Sequence, residues 1–143
     1  MLQEIGDSLG LGWAVISIGM ADAEENRLDL AEQGVLKAAA IFARDGDVAG
    51  EEVGLLALAA LAARRGDDIA AMRMEAAARA AARAAGSELP GIGPLVVPLQ
   101  EAAARLPAED VERERAIGIA IGMEAMLEAA VTGQRAESRP APR

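Results

Sequence analysis

Asp45-Gly46-Asp47 and Gly66-Asp67 bracket the run Val48-Ala49-Gly50-Glu51-Glu52-Val53-Gly54-Leu55-Leu56-Ala57-Leu58-Ala59-Ala60-Leu61-Ala62-Ala63-Arg64-Arg65. This run decides the fold. Alanine and leucine form helix at least conformational cost, and β-branched residues are scarce in it. Its apolar residues leave no polar stripe, and a helix without a polar face has to be covered on several sides. Gly46 supplies the left-handed residue that ends the helix before it, and Asp47 is placed to cap the next one. Arg64 and Arg65 close the last turn, where the helix dipole favours cations. Residues 48–65 therefore read as the central helix of an all-α domain.

Working outward, Asp22 with Glu25 three residues on resembles a capping box and predicts a helix from 22 to about 45. Leu28, Ala31, Val35, Ala38 and Phe42 form its buried stripe. The stretch 68–85 predicts an alanine-rich helix with Ile69, Met72 and Ala76 inward and Arg73, Arg79 and Arg83 outward. Residues 2–20 predict a first helix with Gly6, Gly10 and Ala14 on one smooth face. Prolines and glycines make 86–98 a connector packed across the bundle. A short helix at 99–105 and a long one at 107–131 follow, the latter with Ala116, Ile119, Met123, Met126 and Ala130 inward and a close-approach notch at Gly118 and Gly122. The expectation is one all-α, up-and-down helical bundle of five to six helices over residues 1–132. The segment 133–143, with three arginines and two prolines, is expected to be a disordered tail.

Composition sets the chemical limits. Among 143 residues there is no cysteine, histidine or tyrosine, and Trp13 and Phe42 are the two aromatics. Disulfides, thiolate or imidazole metal ligands and the usual histidine general base are excluded. The net charge of −9 opposes phosphate neutralisation, so no nucleic acid is expected as partner. Residues 8–21 form a fourteen-residue uncharged run, short of the ~20 needed to span a bilayer. Acids, not lysine or arginine, precede that run, which speaks against a signal peptide. No membrane insertion and a cytoplasmic location are the expectation.

The acidic turn offers the candidate site. Asp45, Asp47, Glu51 and Glu52 could present oxygens to Ca²⁺ or Mg²⁺ from a helix–loop–helix. An EF-hand is excluded, because Ile41 and Ala43 stand where ligands are required. The competing reading is a glycine stop followed by an aspartate cap, with Glu51 and Glu52 favoured by the helix N-terminus. Glycines 46 and 66 lie 20 residues apart, too close for the 34-residue tetratricopeptide period.

The stretch Ala39-Ala40-Ile41-Phe42-Ala43-Arg44-Asp45-Gly46-Asp47-Val48-Ala49-Gly50-Glu51-Glu52 resembles the signature of TerB-like (tellurite-resistance) helical domains. A poorer copy, with Ala23 in the glycine position, lies at 20–29. The resemblance covers about residues 20–52. It implies a small all-α bundle linked to stress responses, with a weak divalent-cation site at Asp45, Asp47 and Glu51 or Glu52.

The function expected from these observations is a small acidic interaction or scaffold module, not an enzyme, with at most a weakly bound Ca²⁺ or Mg²⁺ and no other cofactor. The expected partner is a second copy, giving a homodimer. Apolar helix face at 13–20 and 53–63 and the glycine notches at 6/10 and 118/122 motivate that expectation. The alternative is a Mg²⁺-dependent nucleotide pyrophosphohydrolase, with Glu25, Asp29 and Glu32 on one helix face and Glu51, Glu52 or Asp67 opposite.

Overall fold

The computed structural model describes residues 24–86 and 93–137. They form six helices: α1 (Leu28–Asp45), α2 (Val48–Arg64), α3 (Asp68–Ala85), α4 (Gly93–Arg105), α5 (Ala108–Ile121) and α6 (Met123–Glu137). Among the described residues there is no strand. The fold is an all-α bundle. The predicted helix at 2–20 lies outside the described residues.

α2 is the axis of the bundle. Every residue from Glu52 to Leu61 is buried. α2 packs most extensively on α3 and also meets α1, α4 and α6. Coverage of this kind is what a helix with no polar face requires. The apolar segment 53–63 is therefore consumed inside the chain and is not a surface for a second copy.

The first three described helices each end on a left-handed glycine, and the first two share one kind of junction. Gly46, Gly66 and Gly86 all have positive φ, at 68°, 85° and 69°. The Asp47 N–H donates back to the Phe42 carbonyl (2.9 Å), and the Asp67 N–H to that of Ala62 (2.9 Å). These bonds satisfy carbonyls left over at the ends of α1 and α2. The side chains of Asp47 and Asp67 then accept from the Gly50 and Ala70 N–H groups, 3.0 and 3.2 Å away. One short motif ends a helix and starts the next.

Several boundaries differ from the sequence expectation. α1 begins at Leu28, not Asp22, because Asn26 adopts a left-handed φ of 62° and interrupts the helix. Residues 93–98, expected as connector, are the first turns of α4. Pro94 sits in the first turn, where its missing N–H would have had no partner, and the stripe Leu95, Leu99 and Ala102 is buried. Ile69, expected inward, is exposed. The long helix predicted at 107–131 is two helices bent by 85° at Gly122. Gly122 has φ 90° and ψ 153°, a conformation open to glycine and costly for other residues. α6 then continues through Gly133 to Glu137, past the predicted end.

The inward stripe of α5 is Val111, Glu114 and Gly118, whereas Ala116 and Ile119 are exposed. The helix turns its glycine inward because it lies directly on the α3 backbone. A Cβ at Gly118 would stand 2.0 Å from the Arg73 carbonyl oxygen. One turn away, the Arg73 guanidinium donates to Glu114 (2.6 Å), and Arg115 donates to Glu75 (3.1 Å). Both carboxylates are buried. The two pairs run in opposite senses across the same seam, arginine on α3 to glutamate on α5 and the reverse.

Arginines also fasten the outer helices. Arg65 donates to Asp29 and Glu32 of α1, each at 2.8 Å. Arg105 of α4 donates to Asp68 (2.7 Å) and to the Ala63 carbonyl (3.1 Å) at the α2–α3 junction. The hydrogen bond from Arg105 holds the Asp68 carboxyl below the usual carboxylate range, against its partial desolvation. Among the described residues no single helix is long and apolar enough to cross a membrane; α5 and α6 reach that length only as the bent pair.

Two glycine-to-alanine substitutions should have opposite signs. Gly118→Ala forces α5 off rigid backbone and should destabilise by about 3 kcal/mol or more. Gly54→Ala meets only Ala39 at 3.4 Å, ordinary contact. It should be neutral or stabilising by up to about 1 kcal/mol through helix propensity. Urea unfolding followed by far-UV circular dichroism measures both.

Candidate functional site

The four acidic residues of the 45–52 turn serve different ends. Asp45, at the end of α1, pairs with the neighbouring Arg44 at 3.2 Å. Asp47 spends a carboxylate oxygen on the Gly50 N–H as the α2 cap. Glu52 points into the core and is 0% exposed. Glu51, the next residue on the helix, is half-buried and lines a groove on the other side. Consecutive helical residues diverge by about 100°, so Glu51 and Glu52 cannot face one point. Among the described residues no group of three or more Asp or Glu side chains is placed to hold one metal ion.

The local chain path follows from Gly50. A Cβ at this position would lie 2.2 Å from the Phe42 ring. Glycine lets the one described aromatic side chain close the bottom of the α1–α2 hairpin, fully buried. That seating fixes where Asp47 and Glu51 emerge.

Glu51 belongs to a second acidic grouping. A groove of about 340 Å³ runs between α1, α2 and α6. Ala39, Ala40 and Ala43 of α1 and Leu127 and Val131 of α6 form its apolar walls. Glu51, Glu124 and Glu128 line it, with Thr132 at one end. Burial, then the charge of Glu124, then that of Asp47 raise the Glu51 pKa above the usual carboxylate range. Elsewhere the carboxylates between helices (Asp29, Glu32, Asp68, Glu75 and Glu114) each receive an arginine. The groove carboxylates receive none among the described residues.

Sequence reasoning found Glu51 and missed Glu124 and Glu128. Their spacing of four residues puts them on one face of α6. Their approach to Glu51 depends on the bend at Gly122, which no local pattern announces. The alternative acidic face is also placed: Asp29 and Glu32 are engaged by Arg65, and Glu25 pairs with Arg27. Comparison with protein-family models, with curated proteins and with solved structures finds no match.

Two substitutions test this geometry. Asp47→Ala removes a cap and should cost about 1 kcal/mol at neutral pH, read as a shift of the urea midpoint. Glu51 titrates higher in the folded than in the unfolded chain. Its contribution is therefore most favourable below the unfolded pKa and declines as pH rises through the folded one. Glu51→Gln should abolish that decline and leave the protein more stable than wild type at pH 7, as thermal unfolding across pH 4 to 7 would register.

Proposed function

We propose that the protein is a small acidic interaction module that self-associates through the outer corner of α5 and α6. The observation that carries this reading is the apolar surface at that corner. Ile119 and Ile121 are 55% and 47% exposed, and Ala116, Ala120 and Ala125 beside them are exposed as well. Large apolar side chains left in solvent close to one helix bend are candidates for contact with another chain. A two-fold pairing of this corner with itself is the simplest closed arrangement. Of the surfaces expected from sequence, 53–63 is internal and Gly118 is already filled by the α3 backbone, while 13–20 and the 6/10 notch lie outside the described residues.

The TerB-like resemblance would add a weak divalent-cation role at the 45–52 turn, within a stress response. One observation favours it: burial first, and then the charges of Glu124 and Asp47, disfavour ionisation of Glu51, and a cation would relieve the charge repulsion. Affinity would fall in the roughly 10⁻⁴–10⁻³ M range of sparsely liganded sites. The hydrolase alternative has no comparable support, because Asp29 and Glu32 are committed to Arg65.

Sedimentation at micromolar concentration should show a species of twice the 14.7 kDa chain mass. Ile119→Glu combined with Ile121→Glu should return it to the single-chain mass with unchanged helicity. A wild-type protein that sediments only as 14.7 kDa would overturn the proposal.

A further inference from the structure

From the groove and the charge pattern of the chain, we infer that the space between α1, α2 and α6 is the docking site of the chain's own arginine-bearing C-terminal segment, residues 138–143. The groove has apolar walls and three carboxylates, Glu51, Glu124 and Glu128. Asp29, Glu32, Asp68, Glu75 and Glu114, which lie between other helices, each have an arginine partner. A complementary occupant is cationic, narrow and partly apolar. Ser138-Arg139-Pro140-Ala141-Pro142-Arg143 has that composition, with two arginines and no acid.

Connectivity brings the start of this segment near the groove, because α6 runs along it. Val131 and Thr132 line its end, and α6 continues only to Glu137. Glu137 thus lies about 7.5 Å along the helix from Thr132 and about 13.5 Å from Glu128. Six extended residues span about 20 Å, so a segment that turns back reaches Glu128, and the length of an arginine side chain adds Glu124. Pro140 and Pro142 lack the N–H that would prolong the helix, which favours the turn. Small side chains at Ala39, Ala40 and Ala43 leave room for a proline ring between the two arginines. Docking in this way would place a cation beside Glu51, the carboxylate that most needs one. The groove adjoins the α5–α6 corner, since Ile121 and Ala125 line a neighbouring hollow with Glu51, Glu124 and Glu128, so mixing of labelled chains has to separate docking within one chain from contact between copies.

The absence of cysteine permits a direct test in the full chain. Ala141→Cys carries a single nitroxide spin label and leaves both arginines intact. In 15N-labelled protein at low salt, the amides of Ala40, Ala43, Leu127 and Val131 should lose signal severalfold relative to the reduced label. Glu124→Gln with Glu128→Gln should restore those signals. The control Glu109→Gln with Glu112→Gln removes equal charge from exposed α5 positions and should restore nothing. The loss should also fade near 1 M salt, where screening acts over about 3 Å. No broadening at the groove amides would overturn the inference. Equal recovery in the groove and control variants would do the same, since that is what diffuse attraction to an acidic body predicts. Broadening that appears only when labelled and 15N-labelled chains are mixed would assign the groove to a neighbouring copy and overturn docking within one chain.

Discussion

A helix with no polar face has to be surrounded, and α2 imposes that requirement on the whole chain. Its neighbours α1, α3, α4 and α6 each cover part of it. Alanine-rich helices bring little side-chain volume to such contacts, so the backbones must approach closely to exclude voids. Glycine at the tightest crossings follows from this. Gly50 admits the Phe42 ring, and Gly118 admits the Arg73 carbonyl. The packing is correspondingly intolerant of one added methyl at these two points.

Arginine does the work that larger apolar side chains do in other bundles. Arg65 ties α1 to the α2–α3 junction, Arg105 ties α4 to it, and Arg73 and Arg115 tie α5 to α3. The planar guanidinium suits these positions, because it holds its geometry with two acceptors at once. Glu114 is held below the usual carboxylate range, chiefly by the hydrogen bond from Arg73. Its stabilising contribution is present above its unfolded pKa and disappears as pH falls through the folded value. Glu51 has the opposite dependence. The same residue type therefore stabilises one seam and strains another, according to whether an arginine faces it.

The strained seam is where function is most economically sought. Glu51 is half-buried there and repelled by Glu124, while Glu124 and Glu128 themselves are exposed. A cation from solution, from a partner or from the chain's own end would each lower that repulsion, and they differ in how tightly geometry constrains them. The apolar corner adjoins this groove, since Ile121 and Ala125 line a neighbouring hollow together with Glu51, Glu124 and Glu128.

Local sequence determined the punctuation and the class of fold. Gly46-Asp47 and Gly66-Asp67 announce their own junctions because a left-handed residue and an N-cap are properties of adjacent residues. The centrality of 48–65 was equally legible, since the lack of a polar face is visible without any partner. The tertiary structure decided what depends on distant residues. The stripe Val111, Glu114 and Gly118 looks polar and interrupted, yet it faces inward, because Arg73 and its carbonyl lie opposite. A reading by hydrophobicity selects Ala116 and Ile119 instead. The 85° bend at Gly122 uses a backbone conformation that glycine permits without requiring, so no periodicity could reveal it. The divergence of Glu51 toward the groove and Glu52 into the core follows from helix geometry, but which side is groove and which is core depends on where α6 returns. Sequence alone could place the four acids in one turn, and only the packing of α6 could show that Glu51 belongs with Glu124 and Glu128.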